Sequence, residues 1–204
     1  MIIRKSLRIL CLAAALLAVS PLCAGKNDVK EIADRVADWQ IANFKNVTYT
    51  GKKRAVLDWA NGALFRGMVE WAQKTGYQPA EDFVMNIGKA NNWQMARRLY
   101  HADDICVGQS FLLLYKTHKD PAMLAHVKER ADSVIDIRSN VPMDIRIKGG
   151  QERWCWCDAL FMAPPVYSML TQITGDRKYA NFMKEEFVAT TNHLFDTEYD
   201  LYYR

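Results

Sequence analysis

The feature that most constrains the fold is an alternation, along the chain, of two kinds of helical segment. One kind has a single apolar stripe at helical spacing, and the other is apolar on nearly every side. The striped segments span about 29–39, 124–135 and 179–187, and the segments that are apolar all round span 59–72, 105–115 and 159–173. A helix that is apolar on every side must be covered on every side, so we expect inner helices enclosed by outer ones.

The joints between these segments predict a repeating helical hairpin. The stretches "KTGYQPAED", "KTHKDPAM" and "QITGDRKYA" each combine a helix stop with an acid that opens the next helix. The repeat is about fifty residues long, which suits either an open solenoid or a closed double ring. A closed ring better explains inner helices that are apolar throughout. We therefore predict an all-α fold, an (α/α) toroid, of which this chain supplies about the first half.

Residues 1–25 read as a secretory signal peptide. Arg4, Lys5 and Arg8 precede an apolar run from Ile9 to Val19, and small residues follow. The run is short for a membrane span, so we expect a periplasmic or secreted protein without a membrane anchor. We predict that 26–204 form the N-terminal part of one toroid domain, cut before the ring closes.

Charge and cysteine content exclude several classes of function. Three of the 27 basic residues and none of the 23 acidic ones lie in the predicted signal, which leaves a nearly neutral chain of 24 against 23. We therefore expect no nucleic-acid partner. Cys106, Cys155 and Cys157 are too few for a disulfide scaffold, and no histidine stands at ligand spacing from them. We expect buried thiols, no metal and no cofactor.

Two carboxylates are the candidate catalytic groups. Asp104 lies in "YHADDICVGQ" and Asp158 in "WCWCDALFM", each at the start of an inner helix, so equivalent hairpins would bring them to one rim. Paired acids across a funnel are what glycosidic chemistry requires. Aspartate is also a common helix N-cap, as expected for Asp82, Asp120 and Asp176. The neighbouring indoles distinguish Asp158, because they exclude water and should help its carboxyl to hold a proton.

Further candidates surround the two acids. Trp59, Trp154 and Trp156 are either core residues or platforms on which a sugar stacks. Asn61 and Gln109 could bind sugar hydroxyls or could be structural, and Trp93 is interpreted as structural. Pro164 and Pro165 cannot donate helix hydrogen bonds, so we expect the main helix to begin there, with Asp158 in a short turn before it.

Three stretches resemble a known family. "LDWANGALFRGMVEWAQKTG", "YHADDICVGQSFLLLYK" and "RWCWCDALFMAPPVYSMLTQITGDRKY" are similar to glycoside hydrolase family 105, the unsaturated rhamnogalacturonyl hydrolases, with the unsaturated glucuronyl hydrolases of family 88 as more distant kin. The motif W-x-W-x-D-x-L-F-M-A-P-P is specific, and the first stretch alone is weak. The resemblance covers almost all of 26–204.

The resemblance implies an (α/α)6 barrel, or six-hairpin toroid. Its substrates would be pectin-derived oligosaccharides that polysaccharide lyases leave with a 4,5-unsaturated uronic acid at the non-reducing end. An aspartate protonates C4, water adds at C5, and the hemiketal expels the next sugar. Asp158 matches the general acid and Asp104 its partner, with Asp103 as the neighbouring candidate. Trp154 and Trp156 match aromatic positions around the substrate.

Three alternatives remain at this point. A non-catalytic toroid would bind carbohydrate without turnover, and a hydrolase of saturated glycosides could use the same fold. A helical-repeat scaffold is disfavoured because no tetratricopeptide-type signature is present. Members of the resembled family are roughly twice as long as this chain. We therefore expect the intact protein to be the enzyme and this half alone to be inactive.

Overall fold

The structure is a computed structural model that describes residues 26–45 and 53–203. The predicted signal peptide, 1–25, lies outside the described residues. By its internal contacts the chain divides into two units, Met1–Val36 and Ala37–Arg204. Helix α1, Lys26–Asn43, crosses this division, and in its first part Lys30 forms an ion pair with Asp34 one turn later. The predicted domain boundary at residue 25 stays a prediction.

The second unit contains three helical hairpins. The first hairpin pairs α2 (Trp59–Thr75) with α3 (Gln78–Ala90). In the second, the short α4 (Ala102–Ile105) and α5 (Gly108–His118) pair with α6 (Ala122–Asp136). In the third, the short α7 (Ala159–Met162) and α8 (Pro164–Thr174) pair with α9 (Arg177–Leu194). Helices α2, α5 and α8 pack side by side, and each also packs against the second helix of its own hairpin. The predicted order of inner and outer helices is confirmed.

The hairpins turn where the sequence predicted. Gly76 and Gly175 end α2 and α8 in the left-handed conformation, with φ of 73° and 74°, and Lys119 ends α5 with φ of 59°. The side chain of Asp176 accepts a hydrogen bond from the N–H of Lys178 and caps α9. Asp120 likewise accepts a hydrogen bond from the N–H of Ala122, whereas Asp82 lies inside α3 and accepts from Gln78. The cap predicted at Asp82 is therefore wrong.

The core lies between the inner and outer rows. The fully buried side chains of the inner helices include Phe65, Val69, Phe111, Leu112, Val166 and Leu170, and those of the outer helices include Val84, Val127 and Tyr179. Burying one such large apolar side chain contributes roughly 1.5–3 kcal/mol. The apolar faces of the inner helices therefore supply much of the stability, as their sequence indicated.

Trp93 is structural, as predicted. Its indole is buried, packs edge-on against Phe111 at 5.1 Å, and closes over Gly88 at the end of α3. A Cβ atom at Gly88 would lie 2.2 Å from the indole, so only glycine fits beneath the ring. This contact fixes the chain where it leaves the first hairpin.

Two of the inner helices are broken near their start. Helix α4 ends at Ile105 and α5 begins at Gly108, while α7 ends at Met162 and α8 begins at Pro164. The prediction that the main helix begins at the proline pair is confirmed, and Asp158 stands before the short helix above it. Each break leaves one short helical turn ahead of the main inner helix, with acids inside α4 and an acid directly before α7.

The chain after α9 forms a two-stranded hairpin that the sequence analysis did not predict. Strands β1 (Phe195–Asp196) and β2 (Leu201–Tyr202) pair antiparallel, with Phe195 opposite Tyr202. The carboxylate of Asp196 accepts hydrogen bonds from two N–H groups of the connecting turn. Strands of two residues are too short to show the alternation by which a strand is recognised. Within the described residues, no helix is long and apolar enough to cross a membrane.

Candidate active site

The two short helices that carry the candidate acids lie against each other. Helix α4 holds Asp103 and Asp104, helix α7 follows Asp158 directly, and α4 contacts both α7 and the inner helix α2. The first turns of the three hairpins therefore meet at one rim, as the repeat predicted. The two acids of α4, Asp103 and Asp104, differ in their hydrogen bonds.

Asp104 is held by Arg98. Its carboxylate accepts the backbone N–H of Arg98 at 2.7 Å and two guanidinium N–H groups at 3.0 and 2.6 Å. Only 7% of the Asp104 side chain is exposed, whereas 55% of the Arg98 side chain is exposed. Charge-assisted, forked bonds of this kind are among the strongest that a carboxylate makes. Asp104, predicted as the partner acid, is thus engaged in fixing the segment that precedes α4.

Asp103 lies within the electrostatic field of Asp158, the acid of the third hairpin. Its Oδ1 is buried and has no hydrogen-bond partner among the described residues. Burial raises the pKa of Asp103, and the negative charge of Asp158 raises it further, against the opposing effects of His101 and Arg98. A buried carboxylate oxygen without a partner is costly to maintain, which is typical of functional sites. Geometry therefore favours the neighbouring candidate, Asp103, over Asp104.

Asp158 is exposed, contrary to the expectation that indoles would keep it dry. It occupies the residue before α7 with φ −68° and ψ −19°, and its side chain makes no capping hydrogen bond. In an extended segment Trp154, Trp156 and Asp158 would share one face, but the helical turn begins here and redirects the carboxylate outward. The sequence predicted that burial would remove water from Asp158, and in the structure burial affects Asp103 instead.

His101 belongs to the site and was missed by the sequence analysis. It precedes α4, and its Nδ1 accepts the N–H of Asp103 at 3.3 Å, while its Nε2 lies 3.1 Å from Oε1 of Gln151. These two bonds require the neutral tautomer with the proton on Nε2. Burial lowers the pKa of His101, which favours this neutral form. The only sequence signal was its position two residues before an acid at a helix start.

The two tryptophans of the W-x-W-x-D motif, Trp154 and Trp156, have different surroundings. The ring of Trp156 is buried against that of His101, with ring centres 4.8 Å apart. Trp154 is buried against Phe182 and Tyr167, with ring centres 5.9 and 6.0 Å away. Trp156 thus adjoins the candidate site, whereas Trp154 is a core residue between the last two helices. Neither indole offers an open stacking face within the described residues, so the predicted sugar contact of Trp154 is not supported.

Trp59 and Asn61 lie at the start of α2. Trp59 is half-buried beneath the guanidinium of Arg54, which is 5.2 Å from the ring centre. The amide of Asn61 donates to the carbonyls of Ala55 and Val56, at 3.0 and 3.2 Å, and closes the turn before the helix. Both side chains also have structural contacts, and their predicted roles in substrate binding stay predictions.

Gln109 is fully buried, and its predicted contact with a sugar hydroxyl is not supported. Its Nε2 donates to the carbonyls of Phe161 and Met162, both at 2.8 Å, and its Oε1 accepts from Arg66 at 2.5 Å. An amide whose donors and acceptor are already engaged has little left to offer a ligand. It connects the inner helices α2 and α5 to the end of α7.

A cavity of about 290 Å³ adjoins the site on the side of His101. Its other walls include Arg98 and the loop before the third hairpin, in which Ile145, Ile147 and Gly150 take part. Arg98 was also missed by the sequence analysis, since it lies in an irregular segment six residues before its partner. The cavity combines a cation, an imidazole and apolar side chains, and a single sugar ring fits such a volume.

The cysteines have no assigned role in the candidate site. Cys106 and Cys155 are buried free thiols, and Cys157 is partly exposed. Burial raises the pKa of Cys106 to about 12, so its thiol stays protonated and poorly nucleophilic. Among the described residues, no three His, Cys, Asp or Glu side chains form a group that could hold a metal.

Comparison with known proteins matches these observations to carbohydrate-active enzymes. The profile of Glycosyl Hydrolase Family 88 matches residues 32–204. Over 201 residues the chain is 30% identical to the Unsaturated 3S-rhamnoglycuronyl hydrolase of Alteromonas sp. (strain LOR), covering 90% of this chain and 49% of that protein. The chain therefore spans about half the length of this curated relative.

Solved structures show the same fold. A family 88 glycosyl hydrolase from Bacteroides vulgatus superposes with a TM-score of 0.66 at 20% identity, over 86% of this chain and 51% of the other. A possible family 105 member from Klebsiella pneumoniae gives a TM-score of 0.70 at 13% identity, over 92% and 53%. Both families to which the sequence was likened are represented, and the six-hairpin toroid class is confirmed.

Proposed function

Because the chain belongs to glycosyl hydrolase family 88, we propose that the complete gene product hydrolyses oligosaccharides that end in a 4,5-unsaturated uronic acid. The related hydrolase from Alteromonas is named for an unsaturated rhamnoglycuronyl substrate. The chain spans about half of that relative, so the activity is assigned to the complete protein. The observation that supports the proposal is the contact of α4 with α7, because Asp103 lies in the first of these helices and Asp158 directly precedes the second.

Asp158 is the proposed general acid. It is the exposed carboxyl of the pair, so a sugar that enters the rim can reach it. Protonation of C4 of the double bond develops positive charge at C5 and the ring oxygen. Water then adds at C5 as Asp158, now a carboxylate, takes its proton, and the hemiketal opens to release the next sugar. Acid and base steps of this kind typically contribute about 10² to 10⁴ in rate.

Asp103 is the proposed partner in place of Asp104. Two neighbouring carboxyl groups do not both ionise freely, and the buried member resists ionisation most. Because the pKa of Asp103 is raised, this carboxyl keeps its proton to a higher pH than an isolated aspartate would. Asp103 thereby supports proton donation without touching the reacting carbon.

The cavity beside His101 is the proposed place of the sugar on the leaving side. Ile145 and Ile147 offer apolar contact of the kind that a 6-deoxy sugar such as rhamnose can use, and Arg98 offers a charge to an anionic substituent. Lyase products of pectic rhamnogalacturonan and of the rhamnoglycuronyl polymer for which the Alteromonas relative is named are therefore the two substrate classes to compare. We also propose that residues 1–25 direct the protein to the periplasm or outside the cell, which rests on the sequence pattern alone.

The deciding experiment replaces Asp158 by Asn in the complete gene product. Loss of the ultraviolet absorbance of the enol ether should slow by at least about 10²-fold, with circular dichroism unchanged. Asp176→Asn is the matched control, because it makes the same change at a helix cap of α9 where Asn caps equally well. Undiminished turnover by Asp158→Asn would refute the assignment.

Two competing functions give different results in the same assay. A carbohydrate-binding toroid would bind the oligosaccharide saturably while the wild type leaves its absorbance unchanged. A hydrolase of ordinary glycosides would release sugar from saturated counterparts as fast as from lyase products.

A further inference from the structure

The proline pair that follows α7 leaves backbone carbonyls without partners. In a continuous helix the carbonyl of Phe161 would accept the N–H of the residue four positions later, which is Pro165 and has none. The carbonyl of Met162 would accept from Val166, but that N–H bonds to Ala163 instead, at 3.0 Å. Buried carbonyls without partners are destabilising, so the break after α7 needs donors from elsewhere.

Gln109, more than fifty residues earlier in the chain, supplies those donors. Its side-chain NH₂ group has two hydrogens, and Nε2 lies 2.8 Å from each of the carbonyls of Phe161 and Met162. Arg66 can only donate, so its 2.5 Å bond to the other amide atom identifies that atom as oxygen. Arg66 is itself oriented by Glu70, one turn further along α2, at 2.7 Å. The amide therefore has one possible orientation.

One of the two peptide units that Gln109 holds, the unit between Phe161 and Met162, also binds Asp158. The N–H groups of Phe161 and Met162 donate to the backbone carbonyl of Asp158, at 2.9 and 3.2 Å. The direction of the exposed carboxyl therefore depends on a single helical turn. The buried side-chain amide of Gln109 holds the C-terminal end of that turn.

We propose that Gln109 is a positioning residue for Asp158, which acts by holding the carbonyls that Pro164 and Pro165 leave without partners. This inference rests on the proposed function, because it takes Asp158 to be the general acid. It gives the proline pair a role in the reaction: the prolines free the turn from α8, and Gln109 fixes it in one place. A displacement of about 1 Å in a reacting group can cost about 10²-fold in rate.

The test is Gln109→Met, which keeps the length of the side chain and removes both donors. In the complete gene product we expect kcat on unsaturated oligosaccharide to fall by about 10²-fold, with KM within about twofold, because the turn moves while the cavity beside His101 stays intact. Leu114→Ala is the control for lost stability, since it truncates a fully buried side chain near the opposite end of the same helix. It should lower Tm and leave kcat unchanged.

Rescue separates positioning from general damage. Pro165→Ala in the Gln109→Met background restores an N–H that can reach the carbonyl of Phe161, so kcat should recover by at least about tenfold. Pro164→Ala is the matched control, because its N–H would face the carbonyl of Leu160, to which Gln109 makes no bond. If Gln109→Met does not fold, Gln109→Asn, one methylene shorter, should show the same loss and the same rescue.

The outcomes distinguish this inference from the proposed function. If Asp158→Asn is inactive while Gln109→Met keeps the kcat of the wild type, the positioning role is wrong and the proposed function stands. Equal rescue by Pro164→Ala and Pro165→Ala would also overturn it. If Asp158→Asn is fully active, the proposed function itself has failed.

Discussion

Arg98 donates three hydrogen bonds to the carboxylate of Asp104, whereas the preceding acid, Asp103, has a buried oxygen with no partner among the described residues. Two adjacent aspartates on one short helix therefore have opposite environments. Asp103 is poorly solvated and lies within the electrostatic field of Asp158, whereas the carboxylate of Asp104 accepts three hydrogen bonds. This difference assigns separate roles to the two acids and leads to separate predictions.

Replacement of Asp103 by Asn should abolish turnover and stabilise the fold at neutral pH. The folded pKa of Asp103 is raised, so its ionisation penalises the folded state increasingly as pH rises from 3.8 through the raised value, and fully above it. Urea unfolding across this range should show that the excess of the variant's unfolding free energy over that of the wild type grows with rising pH and then reaches a plateau. A variant less stable than the wild type at pH 7 would contradict the raised pKa.

Replacement of Asp104 by Asn should have the opposite effects: it should lower the unfolding free energy and largely preserve turnover. It weakens three charge-assisted bonds and leaves the charge of Arg98 without its closest partner, which should cost about 1–3 kcal/mol of unfolding free energy. We expect turnover within about tenfold of the wild type at a temperature where the variant is folded. A complete loss of activity in a folded Asp104→Asn protein would return the partner role to Asp104.

The sequence predicted the row of helices but not which of two adjacent acids faces the rim. Apolar periodicity reports burial directly, so the order of inner and outer helices and the start of α8 at Pro164 followed from it. Asp103 and Asp104 are one helical step apart, and spacing alone does not orient them. The decisive partner, Arg98, lies in an irregular segment that no periodicity describes.

The environment of Asp158 shows a second limit. The sequence predicted that the neighbouring Trp154 and Trp156 would exclude water from Asp158, but a helical turn begins at this residue and leaves it exposed. The contact of Gln109 with the carbonyls of Phe161 and Met162 spans more than fifty residues. Such a pairing depends on how the hairpins pack, and a local pattern does not contain it.

His101 should make stability depend on pH below neutrality. Its pKa is lowered in the folded protein, so the stability that the neutral ring contributes is present above the ordinary value of 6.5 and is lost as pH falls through the lowered value. Protonation also turns Nδ1 from an acceptor for the N–H of Asp103 into a donor. His101→Asn, which can still cap α4, should remove this part of the acid sensitivity. Identical pH profiles of unfolding for the two proteins would refute the assigned tautomer.

The two tryptophans should respond differently to the same substitution. Trp154→Phe removes contacts with Phe182 and Tyr167 in the core and should lower the unfolding free energy by about 1–2 kcal/mol, with kcat unchanged. Trp156→Phe loosens the packing of His101 and should also lower kcat/KM. Thermal unfolding and steady-state kinetics of both variants check this. Equal effects on kcat/KM would show that Trp156 has no special relation to the site.

The cavity beside His101 should determine affinity for the leaving-side sugar. Ile147 is 42% exposed on its wall, so Ile147→Trp can fill part of the space without disturbing the core. We expect KM for oligosaccharides that extend beyond the first linkage to rise about tenfold, equivalent to about 1.4 kcal/mol, with kcat nearly unchanged. Ile137→Trp makes the same change at an isoleucine that is 63% exposed outside the cavity, and should leave KM as it is. If both variants bind extended substrates as the wild type does, the leaving-side sugar lies elsewhere on the rim.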